Sequence, residues 1–401
     1  MNSKIGVLCT YRFPEGMAPT IRILSYSKGL LENQCDVEVV IFQPQVENSE
    51  VLPEGVVDGV KYSYSHVRNP HRSGLYKALI DRPKALINAV VKLYKSNRKR
   101  KYDCILLSFD KPSYLVFYSV VLRLLGFKLG FIGDEFPEPI RRLKKSITPY
   151  YKWMYKLAYK FISFRVLMTD TLREFYNREV CYKPTYILCS ILNTSRFDSV
   201  TKPSNKDEVL CYMGNMMLAK DNVDNIIRSF NLIKDEFPNL ELHLYGTPNE
   251  SDKSVILSLI QNLNLEKRVF VKGRINYNMV PQTLASASIL VTSQPKTQRA
   301  AGGFPTKLAE YMMSHTPAIV TDVGEINKYV KDGDTIYMVP PSDEYSYANK
   351  IRHILYHPEE AMQVANRAYV YAVDNFGAKN ATKPLLDFIL EITSNNSSVK
   401  L

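Results

Sequence analysis

The chain has 401 residues and a mass of 46.0 kDa, more than one hydrophobic core usually serves, so two domains are expected. Hydrophobic residues make up 45% and charged residues 23%, and the 17 Gly and 22 Pro are spread without period, which excludes a disordered, collagen-like or low-complexity chain. The net charge of +12 is concentrated in one half: residues 1–190 hold 30 Lys and Arg against 17 Asp and Glu, a net of +13. A basic half marks a basic face, for which nucleic acid, an anionic bilayer and an acidic substrate are the candidate partners.

Lys4–Cys9 (KIGVLC) is a short apolar run, followed by a Pro/Gly loop over Thr10–Pro19 and an amphipathic segment over Thr20–Asn33. Val37–Phe42, Cys104–Ser108, Lys128–Gly133, Val166–Thr169 and Thr185–Leu188 are the next strand candidates, separated by helical or loop segments. Apolar strands without alternation imply burial on both faces, as in a parallel sheet. Asn193–Asp207 is polar and aperiodic and reads as a linker. Beyond it, strands are expected at Val209–Met213, Leu240–Tyr245, Val269–Lys272, Ser288–Thr292, Ala318–Thr321 and Ile336–Val339, with helices such as Asn222–Phe237 and Ser251–Asn262 between them. After Pro340 only helices are expected, ending in Lys379–Thr393.

This pattern predicts two Rossmann-like doubly wound α/β domains, residues 1–195 and 205–376, with helix 379–395 packing back on the first. Ligands are then expected in a cleft at the carboxyl ends of the strands. No GxGxxG follows the first strand and no GxxxxGK[ST] occurs, which argues against dinucleotide dehydrogenases and P-loop NTPases. No run of eighteen apolar residues exists, and Met1–Ile5 leads straight into a strand, so neither a spanning helix nor a secretory signal is expected. Cys9, Cys35, Cys104, Cys181, Cys189 and Cys211 form no CxxC and no ligand spacing with the six histidines, and are expected to be reduced thiols of a cytoplasmic protein.

The densest chemistry lies in Gln298–Ile326, QRAAGGFPTKLAEYMMSHTPAIVTDVGEI. Ala300–Gly303 is small and flexible, Pro305 suits a first helical turn, and Lys307–Met313 reads as a helix. A glycine-rich loop feeding a helix amino terminus offers free N–H groups to a diphosphate. Glu310, one turn in, is placed to accept hydrogen bonds from ribose hydroxyls.

GGFPTKLAEYM followed by TPAIVTDVGE and PPSD resembles the donor-binding region of retaining GT-B glycosyltransferases of family four, in the bacterial surface-polysaccharide branch. Carried over residue by residue, the resemblance implies that Gly302, Gly303, Phe304, Pro305, Thr306, Lys307 and Glu310 hold a nucleotide-diphosphate sugar. Tyr212-Met213-Gly214 with Lys220 resembles the element that holds the donor phosphates, Leu244-Tyr245-Gly246 the nucleotide-side turn, and Val269–Arg274 the strand whose end meets the base. The loop around Gly16, before Ile21-Arg22, is similar to the acceptor-side glycine loop. Two positions depart from the family pattern: Asn215 stands where an Arg is usual, and Gly302 where the first Glu of Glu-x7-Glu is usual. Lys cannot reproduce a bidentate Arg contact, so Lys220 is expected to carry more of the phosphate charge, with Lys307 or Arg299 as helpers.

Asp134 and Glu135 (GDEFPEP) follow a strand at its carboxyl end, where a carboxylate would orient or deprotonate an acceptor hydroxyl, or simply be solvated or cap the next helix. No metal-ligand constellation appears; His243 and His315 are isolated and read as structural. Thr148–Val166 places Lys152, Lys156 and Lys160 beside an apolar stripe of Trp153, Leu157 and Phe161, and Leu86–Lys101 repeats the pattern, ending in four consecutive basic residues. That is the design of an interfacial helix on anionic lipid, and no nucleic-acid module is present. The resulting expectation is a cytoplasmic, peripherally membrane-bound retaining glycosyltransferase that needs no metal or other cofactor. It would move a sugar from a nucleotide sugar to a lipid-linked or oligosaccharide acceptor. A non-catalytic nucleotide-sugar-binding scaffold and a sugar-nucleotide epimerase are the alternatives.

Overall fold

A computed structural model describes residues 3–14, 16, 18–42, 45–46, 52–68, 74, 77–142, 146–201 and 207–395. Glu15 and Met17 of the first loop and residues 202–206 of the expected linker lie outside the described residues. The chain divides into two compact units, residues 1–193 with 377–401, and residues 194–376.

The sheet of the first unit is built from β1 (Lys4–Cys9), β2 (Asp36–Ile41), β3 (Glu54–Val57), β4 (Val60–Tyr64), β5 (Cys104–Ser108), β6 (Leu129–Gly133), β7 (Phe164–Leu167) and β8 (Thr185–Ile187). Its order is β8-β7-β6-β5-β1-β2-β4-β3, parallel except for the β3–β4 hairpin at one edge. The residues of β1, β5, β6 and β7 are all buried, as runs with no polar face require. Two features differ from the sequence reading. The seventh strand starts two residues earlier than expected, and the hairpin was not anticipated. Its turn is Asp58-Gly59, with both residues at positive φ (49° and 81°), the geometry that Asp-Gly supplies most readily.

Five helices of this unit are named here: α1 (Ala18–Glu32), α2 (Arg82–Lys99), α3 (Pro112–Leu124), α4 (Glu138–Arg141) and α5 (Pro149–Tyr159). The carboxyl-terminal helix Ala378–Asn395 packs on α1. A Cβ on Gly29 would lie 2.1 Å from the Ala378 carbonyl oxygen, so these helices approach backbone to backbone. Asn33 closes the seam, its amide donating to the Lys379 carbonyl at 2.7 Å and to Thr382 Oγ1 at 3.0 Å.

The second unit has a wholly parallel sheet of β9 (Asp207–Met213), β10 (Glu241–Tyr245), β11 (Val269–Gly273), β12 (Ala287–Val291), β13 (Ala318–Thr321) and β14 (Tyr337–Val339), in the order β11-β10-β9-β12-β13-β14. Leu210, Tyr212, Leu242, Leu244 and Ile289 meet Val223, Ile226, Ile227 and Phe230 of a helix over Val223–Asn231 in its core. Each such side chain contributes about 1.5–3 kcal/mol relative to exposure. That helix stops at Asn231, short of the expected Phe237, and begins just after Asn222, which is left-handed with φ 48°.

Successive strands from β9 run one way across this sheet, and those from β12 the other. The crevice of an open α/β sheet opens at such a switch point, outside the carboxyl ends of β9 and β12. In the first unit the switch falls between β1 and β5.

Candidate functional site

The segments that leave the switch-point strands of the second unit are Gly214–Asp221 and Thr292–Thr306. Glycine sets the first. A Cβ on Gly246 would lie 1.7 Å from the Gly214 carbonyl oxygen, and Gly246 adopts φ 134°, which L side chains rarely reach. Gly214 donates its N–H to the Tyr245 carbonyl at 2.9 Å, and Gly246 to the Gly273 carbonyl at 2.8 Å. The carboxyl ends of β9, β10 and β11 are thus laced together, with Asn215 and Arg274 exposed just beyond them.

Lys220 lies on the one-turn helix Leu218–Asp221. Its neighbour Asp221 is buried and bonded to Lys307 Nζ at 3.0 Å, and the same ammonium reaches Tyr212 Oη at 3.3 Å. Burial alone would raise the Asp221 carboxyl, but Lys307 and then Lys220 outweigh it and hold the pKa below the usual aspartate value. Lys307 therefore stands against the Gly214 turn, where a Cβ on that glycine would come within 2.6 Å of Nζ. Tyr311, on the same helix, accepts the Met213 N–H at 3.0 Å and fixes it under β9.

The second segment carries the glycine-rich loop. Thr297 Oγ1 accepts the Ala300 N–H at 3.1 Å and caps the short helix Gln298–Gly302. Gly324, at φ 63°, allows the Ala300 carbonyl to pack where a Cβ would be 2.5 Å away. Phe304 is buried, its ring 5.4 Å from Tyr329 and 6.0 Å from Phe376, and Pro305 is buried beside it. Gly302 is buried, Gly303 half-buried, and Thr306 exposed at the start of helix Lys307–Met313. This helix has seven residues, so what it offers an anion is local N–H groups more than a long macrodipole.

Glu310 is not isolated. Arg196 Nη1 donates to its Oε1, and Arg196 Nη2 donates to the Tyr277 carbonyl at 3.2 Å. The guanidinium carbon also lies 3.6 Å from the centre of the Tyr277 ring. Arg196, Tyr277, Asp221 and Tyr311 were not singled out from the sequence. Asp221 adjoins Lys220 and had that signal; Arg196 lies 114 residues from Glu310 and carried none.

In the first unit Asp134 follows β6 and pairs with Arg22 Nε of α1 at 2.8 Å. Arg22 is buried and also donates to the Leu188 carbonyl and, at 3.0 Å, to Tyr26 Oη. Burial raises the Asp134 carboxyl above the usual range, with Arg22 opposing. Glu135 meets Arg141 Nη1 at 3.2 Å, and Arg141 Nη2 reaches Asp110 at 3.3 Å. Gly16 lies between the β1 end and α1; a Cβ there would be 2.8 Å from the Arg12 carbonyl oxygen. These residues line the carboxyl end of that sheet.

The histidines have ordinary partners. His243 meets Glu241 at 2.6 Å, and His315 stacks on Tyr369 at 3.9 Å. Among the described residues no three His, Cys, Asp or Glu are grouped to hold a metal, no helix is long and apolar enough to cross a membrane, and none of the six cysteines is in a disulfide.

Residues 194–371 match the family described as glycosyl transferases group 1. The second unit is a glycosyl transferase group 1 domain. Over 199 residues the chain is 21% identical to the poly(ribitol-phosphate) alpha-N-acetylglucosaminyltransferase of Staphylococcus aureus (strain COL), covering 49% of this chain and 38% of that protein. The chain thus spans well under half of that relative. Across nearly its whole length it superposes on solved structures. Sucrose-phosphate synthase of Thermosynechococcus elongatus has a TM-score of 0.69 at 16% identity, covering 99% of this chain and 98% of that one. HepE of Anabaena, solved with UDP-glucose, has 0.67 at 15%, covering 99% and 100%. Both are likenesses of fold, and the chain has the two-domain α/β GT-B fold. In the group 1 domain, Gly214, Lys220, Gly246, the 302–307 loop and Glu310 all fall within the matched residues.

Proposed function

We propose that this chain is a retaining glycosyltransferase that moves a sugar from a nucleotide-diphosphate donor to a lipid-linked glycan acceptor in surface-polysaccharide synthesis. The observation that carries the reading is the grouping, outside β9 and β12 of the group 1 domain, of a backbone glycine turn with Lys307 against it, Lys220 on the next turn, and the Gly302–Thr306 loop leading to Glu310. The likeness to a poly(ribitol-phosphate) alpha-N-acetylglucosaminyltransferase supports a glycosyl transfer onto a polymer, and the likeness to a protein solved with UDP-glucose supports a nucleotide-sugar donor.

In this reading Lys220, with Lys307 and loop N–H groups, neutralises the departing diphosphate without a metal. Such preorganised positive groups typically supply two to three orders of magnitude each. Glu310 accepts hydrogen bonds from the ribose, Gly246 and Arg274 border the base, and Gly302, with no side chain, leaves sugar recognition at that point to the backbone. Asp134 and Glu135 orient the acceptor hydroxyl, with Gly16 giving it room. The donor β-phosphate leaves from the face that the acceptor enters, which yields retention.

Membrane attachment belongs to the same proposal, on the two basic helices expected from the sequence. Leu157 and Phe161 are half-buried and Lys152 is paired with Glu179 at 3.1 Å, which leaves Trp153, Lys156 and Lys160 exposed near α5. On α2, Ile87, Val91 and Tyr94 are 59%, 40% and 42% exposed at i, i+4 and i+7, opposite the buried Ala85, Ala89 and Leu93, with Lys84, Lys95 and Arg98 exposed alongside. An apolar stripe edged by cations suits the headgroup region of an anionic bilayer on the cytoplasmic side.

The test is turnover of a panel of nucleotide sugars with lipid-linked acceptors, followed by release of the nucleoside diphosphate. One donor should be consumed, with the anomeric configuration kept in the product. Lys220→Ala should lower kcat by about a hundredfold or more. Donor binding without turnover on any acceptor would favour a scaffold role, and an inverted product would remove the retaining mechanism.

A further inference from the structure

Arg196 is the third residue of the second unit, on a single 3-10 turn over Thr194–Phe197. Its side chain is only 10% exposed and makes three contacts with two other elements. It binds a carboxylate oxygen of Glu310 on the helix Lys307–Met313, and it both donates to the carbonyl and lies flat on the ring of Tyr277, in the loop that follows β11. A guanidinium is rigid and planar and has five donors, so one group can serve a carboxylate, a carbonyl and an aromatic face together, which an ammonium cannot. It uses one oxygen of Glu310, and a carboxylate has about four lone-pair sites over two oxygens, which leaves acceptor capacity for hydroxyls.

We infer that Arg196 is a positioning residue: it fixes the Glu310 carboxylate against the Tyr277 loop, and so sets the preference of the site for a ribose over a deoxyribose. The inference rests on the reading of Glu310 as the ribose-binding group. A long acidic side chain at 21% exposure would otherwise sample several rotamers, and each hydroxyl bond would have to overcome that freedom. With Arg196 in place the carboxylate is held before the nucleotide arrives. The same side chain fixes its distance from the loop that carries Arg274 and Tyr277, where the base would lie. Base side and ribose side are thereby registered to each other by one residue.

The experiment is titration of the tightest-binding nucleoside diphosphate and its 2′-deoxy analogue into wild type, Arg196→Ala, Arg196→Lys and Glu310→Ala, with a thermal melt of each. Wild type should prefer the ribonucleotide by about tenfold or more, as loss of a hydrogen bond to a charged group implies. Arg196→Ala should lose most of that preference, as Glu310→Ala does, and a fifth protein carrying both Arg196→Ala and Glu310→Ala should lose no more than either single variant. Arg196→Lys, which keeps the charge without the fork, should recover only part, and it also serves if Arg196→Ala does not fold. If Glu310→Ala removes the preference while Arg196→Ala and Arg196→Lys keep it in full, the inference about Arg196 is wrong and the ribose reading survives. If Glu310→Ala itself leaves the preference unchanged, the ribose reading fails and takes this inference with it.

Discussion

At the scale of single residues, the Lys307–Asp221 pair is where local energetics and the proposed phosphate site meet. Removing one partner of a buried pair leaves an uncompensated charge, so Lys307→Met should cost about 3–5 kcal/mol at pH 7. The pH dependence follows from the lowered Asp221 pKa. A depressed carboxyl stabilises the fold above about pH 4, the ordinary aspartate value, and that contribution is lost as pH falls through the folded pKa. In Lys307→Met the unpaired carboxyl is easier to protonate, so its deficit in melting temperature should shrink between pH 7 and pH 4. Thermal melts at both pH values check this, and a constant deficit would mean that Asp221 is not held by Lys307. Glu310→Ala should weaken nucleoside-diphosphate binding by about 1–3 kcal/mol by calorimetry, and its melt should fall as well, because the mostly buried Arg196 guanidinium loses its carboxylate. Lys220, Lys307 and Glu310 could be chosen from the sequence because they lie within a glycine-loop or strand–glycine pattern. The pairings could not, since Asp221 is 86 residues from Lys307 and Arg196 is 114 from Glu310, and chain spacing carries no such contact.

At the scale of elements, the glycines that close the strand ends divide into those that geometry requires and those it does not. Gly246→Ala combines a forbidden φ with a Cβ 1.7 Å from a carbonyl oxygen, and should cost about 3 kcal/mol or more and reduce nucleotide affinity with it. Gly303→Ala meets only the Arg299 carbonyl at 3.4 Å and should stay within about 1 kcal/mol. Denaturant midpoints of the two variants separate these cases, and equal losses would contradict the argument. The parallel strands were legible because burial on both faces demands continuous apolar runs. The β3–β4 hairpin was not, because Glu54–Val57 and Val60–Tyr64 lie at a half-exposed edge and mix polar with apolar residues. Asp58-Gly59 was its one clear mark, unread beside the stronger runs.

For the whole molecule, the charge count indicated a basic half, and the fold distributes that charge over helix faces. Reversing Lys84, Lys95 and Arg98 to Glu should release the protein from anionic vesicles at low salt, with nucleotide affinity intact because the proposed donor residues lie in the group 1 domain. Replacing Ile87 and Val91 with Ser should make the remaining attachment fully salt-sensitive; equal sedimentation with neutral vesicles would contradict the electrostatic part. The two-domain α/β character was legible from alternating apolar runs and helices, and the group 1 half from its motifs. Residues 45–165 carried no family motif, and their role rests on where the sheet places Asp134, Glu135 and the basic helices. The central claim is that the group 1 domain holds the diphosphate of a nucleotide sugar through Lys220 and the turn at Gly214. Calorimetric titration of one nucleoside and its diphosphate into wild type and Lys220→Ala tests it most directly. The diphosphate should bind wild type far more tightly than the nucleoside, and Lys220→Ala should erase most of that difference while leaving nucleoside affinity unchanged. A diphosphate that binds no better than its nucleoside, or an equal advantage in both proteins, would contradict it.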